Sequence, residues 1–191
     1  MPDEDARRRR RTFIWVATSL ALGVVATCFA ASETALAGAV AATRYSARFS
    51  GLVMAAAVLA RAPRPVGWAR WRTELTFAFV AAHGVHYAAV ALRAWLEPGS
   101  KLRTLAIDVV VVVLAGVALL AVIAATARST SVAGRRTNAI ALYIAWTVLA
   151  LGSASRARVF PPSAVVLAVL ITAMLWRIAT GAGAARTTAS T

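Results

Sequence analysis

The chain has one cysteine, two histidines and seven acidic residues among its 191 positions. A lone cysteine, Cys28, excludes an internal disulfide and any multi-cysteine metal site, and inside an apolar run it reads as a small core residue. Charged residues make up only 15% of the chain, too few to cover a soluble domain of this size. No G-x-G-x-x-G follows a strand pattern, and no strand region is evident at all, so a built-in flavin or nicotinamide domain is excluded. What fills the chain instead is apolar: 60% of residues are hydrophobic and the mean hydropathy is +0.72. A lipid bilayer is the natural solvent for such a composition. The 21 basic residues against 7 acidic give a net charge of +14. In a soluble protein that excess would point to nucleic acid, but no soluble region remains to bind it, and no nucleic-acid partner is expected. The basic residues fall between apolar runs, where they orient helices and meet anionic headgroups.

Six apolar runs predict an all-α bundle of about six transmembrane helices. The first, Phe13 to Ala31, follows Arg7 to Arg11. Its flanks also fit a signal peptide: Arg10-Arg11-Thr12-Phe13-Ile14 resembles a twin-arginine signal, and Ala31 and Ala37 lie near a possible cleavage point. The second, Ala39 to Ala60, contains Arg44 and Arg48, one turn apart, placed to snorkel to the outer headgroups. It closes at Arg61 and the breaker Pro63-Arg64-Pro65. Trp68 and Trp71, among arginines, suit the cytoplasmic interface. The third run is Leu75 to Leu92 and the fourth is Leu105 to Ala127, with Asp108 in its first turn. Then come Ala139 to Leu151, short for a span, and Ser163 to Ile178 after Pro161-Pro162. The sequence thus divides into a basic cytoplasmic N-terminus, 1–12, a six-span domain, 13–179, and a polar small-residue tail, 180–191, expected to be disordered.

Basic residues set the orientation. Segments assigned to the inside hold Arg7 to Arg11, Arg61, Arg64, Arg70, Arg72, Arg128, Arg135, Arg136, Arg177 and Arg186. Those assigned to the outside hold Arg44, Arg48, Arg93, Lys101, Arg103, Arg156 and Arg158. The two-to-one bias predicts both ends in the cytoplasm of what is expected to be a bacterial cytoplasmic membrane.

The chemistry-bearing residues are His83 and His86, in mid-span within Ala82-His83-Gly84-Val85-His86-Tyr87. Ionisable groups at that depth face the bundle interior and mark a cofactor, a proton path or a buried hydrogen bond. Three residues apart, the two share one helical face. Gly84 and Ala88 would let a neighbouring helix approach closely. If haem b were bound, its second axial ligand would have to come from another helix at equal depth. The matching stretch of the fifth run, Thr147 to Leu149, has no histidine, and Met54 on the second run reads as core packing. Glu74 and Asp108 are expected at opposite interfaces, which argues against a carboxylate pair. Asn138 is expected as a helix N-cap, and Ser129, Thr130 and Ser131 as a loop.

Arg72-Thr73-Glu74-Leu75-Thr76-Phe77-Ala78-Phe79, followed by Ala82-His83-Gly84-Val85-His86, resembles the haem-helix motif of the ferric reductase-like transmembrane domain. Arg48-Phe49-Ser50-Gly51 resembles the start of that family's second helix, and Gly134-Arg135-Arg136-Thr137-Asn138, with Tyr143 and Trp146, its fifth. The resemblance covers about residues 39–154 and matches His86 best to the family histidine. It implies a haem-binding membrane scaffold. Asn138 and Leu151, however, stand where the resemblance would place the fifth-helix histidines.

Two functions follow as expectations. One is a non-catalytic membrane subunit on that scaffold, packing against other membrane protein subunits. The alternative is an electron-transfer subunit in which His86, and with it His83, ligates haem iron or approaches a quinone.

Overall fold

The computed structural model describes residues 2–61, 71–97 and 102–188, with side chains described for 4–61, 71–97 and 110–180. Pro63, Arg64, Pro65, Trp68, Arg70 and Lys101 lie outside the described residues, as do the side chains of Arg103, Asp108 and Arg186. Among the described residues the chain is all-α, with six helices: α1 (Pro2–Ala30), α2 (Ala35–Leu59), α3 (Arg72–Leu96), α4 (Leu102–Thr126), α5 (Val132–Ala154) and α6 (Pro161–Thr188).

Each apolar run falls on a longer helix, the runs on α1, α2 and α4 passing its C-terminal end by one residue, because polar residues at the other end extend it at little cost. Arg7 to Arg11 are good helix formers, with Glu4 and Asp5 in the favourable first turn, so α1 begins well before Phe13. Thr34 caps α2 by accepting from the Ala37 N–H at 3.2 Å. At the other end, α6 runs on through Thr188 where a disordered tail was expected. Ala182, Ala184 and Ala185 supply enough helix propensity to continue it.

Four helices are long and apolar enough to cross a membrane: Glu4–Ala30, Arg72–Leu96, Val132–Ala154 and Pro161–Thr180. The described side chains of α4, Val110–Thr126, are equally apolar over a shorter length. Large apolar side chains face outward, among them Trp15, Leu20, Val112, Leu114, Ile144 and Leu175, while many of the buried positions are alanine. In water such a surface would be an aggregation liability. In lipid it is the solvated face, and small residues inside bring the helices close. This is the construction of an integral membrane protein.

Helices α2 to α6 close into a ring, each packing on the next and α6 returning to α2, while α1 lies outside against α2 and α3. The apolar core fills the ring. Met54, Phe79, Ile123 and Leu170 are wholly buried there, and α1 adds nothing to it. Met54 is therefore core packing, as its surroundings in the sequence suggest.

Close approach is not where Gly84 and Ala88 predict it. Both are exposed, and nothing lies within 4 Å of where a Cβ on Gly84 would stand. With the histidines turned toward α2, residues 84 and 88 rotate to the opposite side of α3. The tight seams are elsewhere. A Cβ on Gly51 would meet Val166 of α6 at 2.8 Å, and one on Gly116 of α4 would overlap the Tyr87 ring.

Candidate functional site

The polar residues buried between α2 and α3 form a ladder. Successive rungs on α2 are Thr43, Ser46 and Ser50, spaced to share one helical face. Facing them on the antiparallel α3 are Ala89, His86 and His83. The Thr43 hydroxyl donates to the Ala39 carbonyl at 2.8 Å and reaches the Ala89 carbonyl at 3.3 Å. Ser46 shares a hydrogen bond with His86 Nδ1 at 3.1 Å, and Ser50 shares one with His83 Nδ1 at 2.8 Å. Ser50 also donates its single proton to the Ala47 carbonyl at 2.9 Å. Its oxygen is then the acceptor for a His83 Nδ1–H, which assigns the tautomer.

His83 is 7% exposed and enclosed by rings. Phe79 stacks on it at 5.4 Å, Tyr87 meets it edge-on at 4.7 Å, and His86 lies 5.1 Å away. The structure thus brings together the two predicted histidines and adds three hydroxyl residues that sequence reading passed over. The signal was present, since Thr43, Ser46 and Ser50 repeat at helical spacing in a run otherwise rich in alanine.

A b-type haem does not fit this arrangement. A six-coordinate iron needs an imidazole on each side of a flat macrocycle with open space at its rim. Here both imidazoles project from one face of one helix, and Phe79 and Tyr87 occupy the space against His83. Leu151, at a position the resemblance gives to a histidine, points outward at 65% exposure. Asn138, at the other, is committed elsewhere.

Asn138 is not the N-cap. Ser131 caps α5, accepting from the Gly134 N–H at 3.0 Å, because α5 starts seven residues earlier than its apolar run. Ser131 also lies 3.0 Å from Ser129 across the turn. Asn138, now inside the helix, is buried at a four-helix junction. Its Nδ2 donates to the Ile123 carbonyl at 2.9 Å and to Thr126 Oγ1 at 3.1 Å on α4. Its Oδ1 accepts from Arg61 at 2.9 Å. Arg61 also donates to Thr76 at 2.7 Å and to the carbonyls of Ala57 and Arg72. Burial, then the positive charges of Arg177 and Arg72, pull its guanidinium down to about 10, still protonated at neutral pH.

Glu74, 7% exposed beside this junction, pairs with Arg9 of α1 at 3.9 Å, and Phe13 packs near Trp71. The N-terminal ends of α1, α3 and α5 therefore gather with the C-terminal ends of α2 and α4.

Arg48 does not snorkel outward. Arg44 is exposed, but Arg48 turns into the seam between α2 and α6, where it is 9% exposed. It donates to Ser163 at 2.5 Å and to the Arg44 carbonyl, and its guanidinium lies 4.0 Å over the Phe160 ring. α6 begins beside the middle of α2, which puts a donor-acceptor partner within reach.

Among known protein-family models, curated proteins and solved structures, none matches this chain.

Proposed function

We propose that the chain is a non-catalytic, six-span subunit of a bacterial cytoplasmic membrane complex, built on a ferric reductase-like scaffold, with both ends in the cytoplasm. The observation that carries the non-catalytic reading is the α2/α3 ladder. Both imidazoles, the only two in the chain, are spent on interhelical hydrogen bonds, so they act as fasteners between helices. Partner helices are supported by the exposed Gly84 and Ala88 face of α3, where a second backbone could pack closely.

The orientation is supported by the basic residues. Arg9, Arg61, Arg72 and Arg177 collect at one end of the bundle, while Arg44, Arg48 and Arg156 collect at the other. A fluorescent reporter fused after Thr191 is expected to be bright, and alkaline phosphatase inserted at Glu33 is expected to be active. Inactive phosphatase at Glu33 with a dark C-terminal fusion would overturn the topology.

The functional reading is tested on the protein purified from its native membrane. The visible absorption spectrum should be featureless before and after dithionite, and helical membrane proteins should co-purify in fixed ratio. A Soret band with a sharp reduced α-band, lost in His86→Ala, would replace this reading with the electron-transfer one.

A further inference from the structure

Arg48 is a cation enclosed among helices with no carboxylate paired to it among the described residues. Its charged neighbours are Arg44 and Arg156, which repel it. Of its five N–H donors, two are used, on Ser163 and the Arg44 carbonyl, and Nε is buried without a partner. A buried charge left in this state is costly unless an anion completes it.

Beside it lies an open groove of about 550 Å³ between α1, α2 and α6. Arg48 forms its charged corner, and Val24, Phe49, Leu52, Val165 and Val166 form apolar walls. The direction of these walls matters. Leu52 is one turn from Arg48 along α2, and Val165 is one turn from Pro161 along α6, so the apolar surface runs from the guanidinium toward the other side of the bundle, parallel to the helices. Tyr45 and Phe160, in edge contact at 5.6 Å, stand at the charged end.

We propose that this groove binds one anionic glycerophospholipid. Its phosphate sits against Arg48, within the positive field of the nearby Arg44 and Arg156, and one acyl chain lies along Leu52 and Val165. The charge complementarity selects an anion, and the apolar groove beginning at the guanidinium selects an amphiphile over a free ion.

The test is native mass spectrometry of the full chain released from nanodiscs of phosphatidylcholine with a minor fraction of phosphatidylglycerol. Wild type should retain one phosphatidylglycerol, and Arg48→Gln should lower its retention about tenfold. Arg48→Gln also loosens the α2/α6 seam, so a second variant is needed. Val165 is 63% exposed, and Val165→Trp fills the groove without disturbing the core. This variant should keep its helicity and lose the lipid. Equal retention of the two lipids by wild type would overturn the proposal. So would phosphatidylglycerol retained unchanged in a folded Val165→Trp protein, since the groove would then play no part.

Discussion

Asn138→Leu is expected to lower the unfolding free energy in detergent by about 3 kcal/mol, the largest loss from any single polar substitution in this bundle. Leucine keeps asparagine's branched heavy-atom outline, so the change removes bonds without opening a void. Two donors to α4 and one acceptor for Arg61 disappear together. The last is the costliest, because a hydrogen bond to a charged group is worth more than a neutral one and the guanidinium stays buried. Asn138→Asp should cost less, since it keeps the acceptor and adds a negative charge opposite Arg61. The measurement is reversible unfolding in a detergent series followed by circular dichroism. A double variant, Arg61→Met with Asn138→Leu, should lose less than the sum of the two single losses. Strict additivity would show that the two side chains do not act as a unit.

The second large effect concerns the ladder. Ser50→Ala removes the acceptor for His83 Nδ1–H inside a ring of aromatic side chains, leaving a buried donor without a partner, and should cost about 2 kcal/mol. His83→Phe in the same background should restore most of that loss, because a phenyl ring between Phe79 and Tyr87 needs no partner. The same unfolding assay reads both. If the double variant were as unstable as Ser50→Ala alone, the cost would lie in something other than the stranded imidazole. Interhelical hydrogen bonds within membranes are often weaker than their burial suggests, since the separated helices find other partners. The enclosure of His83 is the reason to expect a value at the upper end.

How much of this was legible in the sequence divides along a physical line. Apolar run length is a one-dimensional property, and it placed the six helices of the described residues, with the larger end shifts where polar residues extend a helix at little cost. Which way a residue faces is a different property. Gly84 and Ala88 had the spacing of a packing seam and face outward, because His83 and His86 claim the inner side. Asn138 had the chemistry of a cap and became a junction, because Ser131 caps the helix first. Arg48 had the length to reach the outer headgroups, and turns inward because Ser163 and Phe160 lie closer. Their mid-span position, costly for an ionisable group, drew attention to His83 and His86. Their serine partners were visible only as a faint periodicity on α2 that mean hydropathy does not register.

That same periodicity has a bearing on how the chain is made. α2 is not among the four helices apolar enough to cross a membrane by composition, and the partner of its buried arginine lies 115 residues further along. When the ribosome has finished α2, Ser163 has not yet been synthesised. At that stage the Arg48 guanidinium has only the Arg44 carbonyl of its own helix as a partner. Only when α6 has been made can Ser163 and Phe160 close over that side chain. The seam around Arg48 is therefore completed by the last helix, and a chain truncated before Pro161 would lack both of its α6-side contacts.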